Sequence, residues 1–165
     1  MKLIVAFCKT RGIGFQNTLP WRLKKDLLNF QNLTIGNGNN AIIMGKNTWE
    51  SLPDKFKPLP KRTNIILSRQ YFPSSQVFSC LEDAKLFCDK KNFDDVWIIG
   101  GEQLYKYALD NDYVDWIYTT NINEYYTCDT FFPDIPSNFI QRYTSEEDIE
   151  NNIAFKFEIF SKIHQ

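Results

Sequence analysis

Histidine is the scarcest chemistry in this sequence: His164 is the only one in 165 residues, and it stands next to the C-terminal residue. A histidine-based nucleophilic triad and a histidine zinc site are thereby excluded. Cys8, Cys80, Cys88 and Cys128 show no C-x-x-C spacing. They read as small buried apolar residues of a reducing compartment, and no metal site is expected. Charge of either sign is not in excess, the net value being −1, and like-charge runs stop at two or three residues. Nucleic acid is therefore not an expected partner. No stretch approaches the roughly 20 apolar residues of a membrane span, and M-K-L-I-V-A-F-C is too short for a signal peptide. A soluble, cytoplasmic chain is expected, with no membrane partner. Internal repeats, G-x-G-x-x-G and G-x-x-x-x-G-K-[ST] are all missing, so neither standard nucleotide fingerprint applies.

What is present is a set of short runs apolar on both parities: L-I-V-A-F (3–7), A-I-I-M (41–44), I-I-L (65–67), V-W-I-I (96–99) and W-I-Y (116–118). Such runs suit strands buried on both faces. Helical patterns lie between them. In S-C-L-E-D-A-K-L-F-C-D-K-K, Ser79 and Glu82 have capping-box spacing, with Leu81, Ala84, Leu86 and Phe87 as the apolar members. In E-Q-L-Y-K-Y-A-L-D (102–110), Leu104, Tyr107 and Ala108 share a side. The alternation implies an α/β fold with a mainly parallel sheet flanked by helices, in one domain spanning 1–165. At the end, A-F-K-F-E-I (154–159) alternates, which predicts a half-buried antiparallel strand. Its expected hairpin partner is F-I-Q-R-Y-T (139–144), across the polar turn S-E-E-D-I-E-N-N. G-N-G-N-N (36–40) and P-D-K-F-K-P-L-P (53–60) read as surface loops.

Ligands of open α/β sheets bind beyond the carboxyl ends of the strands. There A-I-I-M runs into G-K-N-T-W, I-I-L into S-R, and V-W-I-I into G-G-E-Q-L. Glycines after strands and helix starts, with Lys46 and Arg69 nearby, suit a multiply phosphorylated ligand. The stretch L-P-W-R-L-K-K-D-L (19–27) adds an acid. On a helix starting near Arg22, Leu23, Leu27, Phe30 and Leu33 share a face, and Asp26 falls between Phe30 and Leu33, away from Lys24, Lys25, Asn29 and Asn32. Burial there would raise its pKa, and a carboxyl so placed suits holding a polar heterocycle or supplying a proton.

The acid five residues after L-P-W, then I-M-G-K-N-T-W-E-S-L, P-L-P-K-R, I-I-L-S-R, W-I-I-G-G-E-Q-L-Y and D-T-F-F-P, occur in this order as in dihydrofolate reductases. The resemblance runs from I-V-A-F-C to F-E-I-F. It implies a central, mainly parallel eight-stranded sheet with a C-terminal antiparallel hairpin strand, NADPH as cofactor, dihydrofolate as substrate, and a monomer. It also assigns roles. Asp26 matches the acid that bonds the pterin ring, Thr120 the threonine that bonds this acid, and Trp21 the tryptophan beside the reaction. Ile4, Val5, Leu27, Phe30, Leu52, Leu59 and Ile99 match the substrate pocket. Arg62 matches the arginine that grips the substrate's glutamate carboxylate; without the family it is an ordinary solvated arginine, as Thr120 is an ordinary strand residue.

Ala6 and Ile13 match positions toward the nicotinamide. Gly45, Lys46, Thr48, Leu67, Ser68 and Arg69 match the cofactor's phosphate and adenosine contacts, with Lys46 and Arg69 near the 2′-phosphate. Gly100, Gly101, Glu102, Gln103, Leu104 and Tyr105 match the glycine pair, joined in the family by a cis peptide, and the helix start after it. Residues 12–21 resemble a mobile loop that closes over the nicotinamide. Lys24, Lys25 and Glu102 add charge beside the acid and the phosphate positions. The implied reaction moves a hydride to C6 of dihydrofolate and a proton to N5, giving tetrahydrofolate. The alternatives are a related NADPH-dependent pteridine or pyrimidine reductase, which would not need Arg62, and a non-catalytic nucleotide-binding module of the same fold, which would not need Asp26, Trp21 and Phe30.

Overall fold

The computed structural model describes residues 1–73 and 75–163, so His164 lies outside the described residues. The strands are β1 (Lys2–Phe7), β2 (Gly12–Gly14), β3 (Ala41–Gly45), β4 (Thr63–Leu67), β5 (Gln76–Phe78), β6 (Val96–Ile98), β7 (Trp116–Ile122), β8 (Thr130–Phe131), β9 (Phe139–Thr144), β10 (Asp148–Glu150) and β11 (Ile153–Lys162). The helices are α1 (Lys24–Ile35), α2 (Lys46–Ser51), α3 (Leu81–Lys91) and α4 (Glu102–Asp110). Eight strands run in the order β10-β11-β7-β1-β6-β3-β4-β5, with β9 added on β11; β2 and β8 form a separate pair. From β7 to β5 all neighbours are parallel, and β11 turns antiparallel to β7. No described helix is long and apolar enough to cross a membrane.

The doubly apolar runs are the parallel strands because each parity has its own core to enter. Leu3, Val5, Ile43, Ile65 and Ile98 join Leu81 and Ala84 of α3 and Leu104 and Ala108 of α4 on one face. On the other, Ile4, Ile42, Met44, Ile66 and Trp97 pack with Trp49 of α2, and Phe30 and Leu33 of α1 lie against them.

Several expectations need correction. The partner of β11 directly across its turn is β10, formed inside the polar stretch read as a turn; β9 pairs farther along β11. Asn151 and Asn152, with φ of 54° and 63°, make the tight turn that a longer loop was expected to supply. A bulge between Ile159 and Phe160 interrupts the alternation. Glu158, on the expected polar face, is buried and accepts hydrogen bonds from Thr119 and Gln141.

The capping box is not formed: Cys80 is the N-cap of α3 and makes no side-chain cap bond. Glu82 instead accepts a hydrogen bond from the Tyr107 hydroxyl, tying α3 to α4. Tyr107 is accordingly exposed and Tyr105 turns inward, where its hydroxyl donates to the Ile4 carbonyl. Leu86 is exposed too, its expected place in the core being taken by Cys88. Of the cysteines, Cys8 and Cys88 are buried and Cys80 and Cys128 partly so; all four are free thiols.

Candidate active site

Helix α1 begins at Lys24, two residues later than expected, and Leu23 before it offers no side-chain cap. The cap comes from β10. The Glu150 carboxylate accepts from Lys24 N at 2.6 Å and Lys25 N at 2.9 Å, satisfying two of the N–H groups that a helix start leaves free. Lys25 pairs with Asp148 at 3.0 Å. The Lys25 side chain is thus held toward the outer hairpin, Lys24 is exposed, and Asp26 turns inward over the sheet. Thr120 on β7 donates to Asp26 Oδ1 at 2.6 Å. Burial raises the Asp26 pKa above its ordinary 3.8, the Thr120 bond opposes this, and the charge of Glu150 adds to the rise.

The helix docks along Leu23, Asp26, Phe30, Leu33 and Thr34, so Leu27 stands about 100° round from Asp26 and is 52% exposed rather than on the buried stripe. Trp21 is buried against Tyr126 with ring centroids 5.5 Å apart, and its indole N–H finds no acceptor among the described residues. Ile4, Phe30, Leu33, Leu52, Leu59, Ile99 and Tyr118 meet in one apolar cluster beside the acid. Ala6 packs near Trp21 and Leu23. Val5 points to the opposite face, into the core under α4, and only its backbone is left toward the site.

Arg62 closes the far end of this wall. Its Nη1 donates to Thr34 Oγ1 at 3.0 Å and its Nε to the Pro60 carbonyl at 2.9 Å, which leaves N–H donors of the fork free. Burial depresses its pKa, yet guanidinium stays charged. Asn64, buried in β4, shapes the loop that carries Arg62. It accepts from Leu59 N and donates to the Leu59 and Arg62 carbonyls, all within 3.0 Å. Asn64, Thr34 and Glu150 were not singled out from the sequence. An amide inside the apolar strand T-N-I-I-L was a usable signal, since buried polar groups are almost always satisfied. The partnership of Glu150 with α1 had none, because it joins segments distant in the chain.

At the carboxyl ends of β3 and β6 the glycines converge. The peptide between Gly100 and Gly101 is cis, Gly100 has φ +118°, and Gly45 N donates to the Gly100 carbonyl at 2.8 Å. A Cβ on Gly100 would stand 3.0 Å from the Tyr105 hydroxyl, a tight contact, and the positive φ would strain any side chain there, so the position favours glycine. Gly45 and Gly101 are the N-caps of α2 and α4, and neither helix start has a side-chain cap. Two sets of free N–H groups therefore face the same corner, a donor set that fits a pyrophosphate. Thr48 lies 3.6 Å from where a Gly101 Cβ would be. Glu102 and Gln103 open α4, while Leu104 and Tyr105 point into the core behind it. Lys46 pairs loosely with Glu50 at 3.7 Å. Ser68 is half-buried, Leu67 packs into the core, and Arg69 stands exposed.

The segment 12–21 is folded against residues 129–131. β2 pairs with β8, Phe15 bridges Thr18 across a turn in which Gln16 and Asn17 have positive φ, and Gln16 N donates to the Asp129 carboxylate. Ile13, half-buried, is carried on this segment.

Comparison with known proteins agrees with this geometry. The family model for dihydrofolate reductase matches residues 1–162. The chain is 37% identical to a dihydrofolate reductase of Aedes albopictus, covering 98% of this chain and 96% of that one. It is 33% identical to one of Heliothis virescens (99% and 97%) and 36% to one of Schistosoma mansoni (97% and 95%). An inward acid paired to a strand threonine, a glycine corner between two uncapped helices and a matching model over nearly the whole length lead to one conclusion: this chain belongs to the dihydrofolate reductase family.

Proposed function

We propose that the protein reduces 7,8-dihydrofolate to 5,6,7,8-tetrahydrofolate with NADPH, by hydride transfer to C6 and protonation of N5. The observation that carries this is the Asp26–Thr120 pair, a carboxyl turned inward beside an apolar wall. When bound, NADPH supplies the hydride. The glycine corner with the α2 and α4 starts would hold its pyrophosphate, and Lys46 and Arg69 supply cations for the extra phosphate that separates NADPH from NADH. Ile4, Phe30, Leu52 and Ile99 exclude water and align the rings, which is the larger part of what a protein contributes to such a transfer. Asp26 accepts hydrogen bonds from the pterin N–H groups, and Thr120 fixes its orientation. The proton reaches N5 through water admitted beside Trp21, with Asp26 setting the local field. Arg62 binds the glutamate carboxylate of the substrate with its free donors.

The test is the rate of NADPH oxidation with dihydrofolate, run beside NADH and beside Asp26→Asn. The expected result is fast turnover with NADPH, slow with NADH and lost in the variant. NADPH binding without turnover in the natural protein would overturn the substrate assignment and send the search to other pteridines.

A further inference from the structure

Two thiols meet behind the active-site tryptophan. Cys8 follows β1 and Cys128 precedes β8, and Gly12 lies between them. A Cβ built on Gly12 would fall 2.3 Å from Cys128 Sγ and 3.1 Å from Cys8 Sγ, so both sulfurs lie within 3.1 Å of one point that only glycine leaves free. Two sulfurs gathered round one point are neighbours, and a disulfide between them needs a bond of ~2.05 Å.

The pair is unequal. Burial raises the Cys8 pKa, but the Thr10 hydroxyl, 3.3 Å from Sγ, and the N–H groups of Thr10, Gly12 and Tyr126 outweigh it and leave the thiol below its ordinary 9.0. Burial and the neighbouring Cys8 push Cys128 above that value. Cys88, by contrast, is pushed up to about 11 by burial and is inert. Cys8 is itself buried, at 1% exposure, while Cys128 is half-buried, and a cleft lies beside Cys8. With Phe7, Asn121 and Asn123 it lines a cleft of about 400 Å³ whose charged residues are Lys9, Arg11, Lys156 and Glu147.

We propose that Cys8 and Cys128 are a peroxide-sensitive dithiol whose disulfide restrains the active-site loop. The Cys8 thiolate attacks a peroxide oxygen, the O–O bond breaks, and Cys8 becomes a sulfenic acid while the departing hydroxide takes a proton to leave as water. The Cys128 sulfur then attacks the Cys8 sulfur, the S–O bond breaks, and the Cys128 proton leaves with the hydroxyl as a second water. Two thiols lose two electrons in all, and one peroxide is reduced to two waters. Cys8 packs in the same cluster as Trp21, Leu23 and Ile122, with Cys128 against it. Asp129, next in the chain to Cys128, holds Gln16 N with its carboxylate and the Gly14 carbonyl with its N–H. The disulfide therefore ties the exit of β1 to the strand pair that carries Ile13 and leads to Trp21, and turnover slows. Only this last readout rests on the proposed reductase activity.

The experiment treats the reduced full-length protein with hydrogen peroxide and follows free thiols, non-reducing peptide maps and NADPH oxidation. The expected result is a fall from four free thiols to two, a Cys8–Cys128 linked peptide, and a several-fold slower turnover that dithiothreitol restores. Cys128→Ser should keep its basal rate, form no link, and carry sulfenic acid at Cys8. Gly12→Ala, which drives a carbon into the Cys128 sulfur, should abolish linkage as well. Cys8 unreacted, or oxidised without linkage to Cys128, overturns the pair; a linked protein with unchanged turnover overturns the restraint. A failure of the reductase assignment leaves thiol counts and peptide maps untouched, so the two are distinguishable.

Discussion

Asp26 titrates in an environment that favours its proton, and two measurable consequences follow. Because burial raises its pKa in the folded chain above 3.8, the hydride step should slow as pH rises through the raised value, and stopped-flow traces of NADPH oxidation over a wide pH series check this. Linkage gives the sign for stability. The favourable contribution of the protonated group is fully present below the unfolded pKa and is lost as pH rises through the folded one. Above both, the buried charge is a burden, so Asp26→Asn should raise Tm in that range while lowering turnover by at least about a hundredfold. A lowered Tm would mean that the carboxylate stabilises the helix start more than burial penalises it. Arg62 calls for a different readout. Arg62→Leu should raise KM for dihydrofolate by about two orders of magnitude through loss of a charge-assisted fork, with KM for NADPH little changed. Equal loss for both would mark the arginine as structural through its bond to Thr34. The inward placement of Asp26 was suggested by helical spacing, whereas Thr120 and Arg62 were not legible, since a strand threonine and a loop arginine carry no periodic signal.

At the scale of elements, α1 is held by a residue from another part of the chain. Its first N–H groups go to Glu150 of β10, and the same carboxylate helps to raise the Asp26 pKa. Glu150→Ala should therefore lower Tm modestly and move the descending limb of the hydride pH profile to lower pH. Stopped-flow rates with the variant check the second effect; an unshifted limb would separate cap from acid. What could be read at this scale follows burial. The parallel strands were visible because apolar residues on both parities leave few other placements, and α4 was found with its full span for the same reason. The short pieces β2, β5, β8 and β10, of two or three residues each, have no room for a pattern. The faces of α3 and α4 were misjudged where tertiary partners decide. Tyr105 and Tyr107 are equivalent by composition, and the Ile4 carbonyl takes one while Glu82 takes the other.

For the molecule as a whole, the parallel sheet separates stability from chemistry. Ile43 sits at its centre, its Cα in register with Ile65 on β4 and Ile98 on β6, and all three side chains are wholly buried on the α3 and α4 face. Asp26, Phe30 and Leu52 lie across the sheet on the other face. Removing the Ile43 side chain to Ala leaves a hole in a close-packed layer and should cost about 2–5 kcal/mol. In urea the midpoint should fall while the slope stays unchanged, since the exposed surface on unfolding is nearly the same. Turnover and KM of the protein that remains folded should stay near those of the natural chain. If KM for dihydrofolate rose with the loss of stability, the two faces would be coupled through the sheet, and the site could not be treated as resting on a rigid layer.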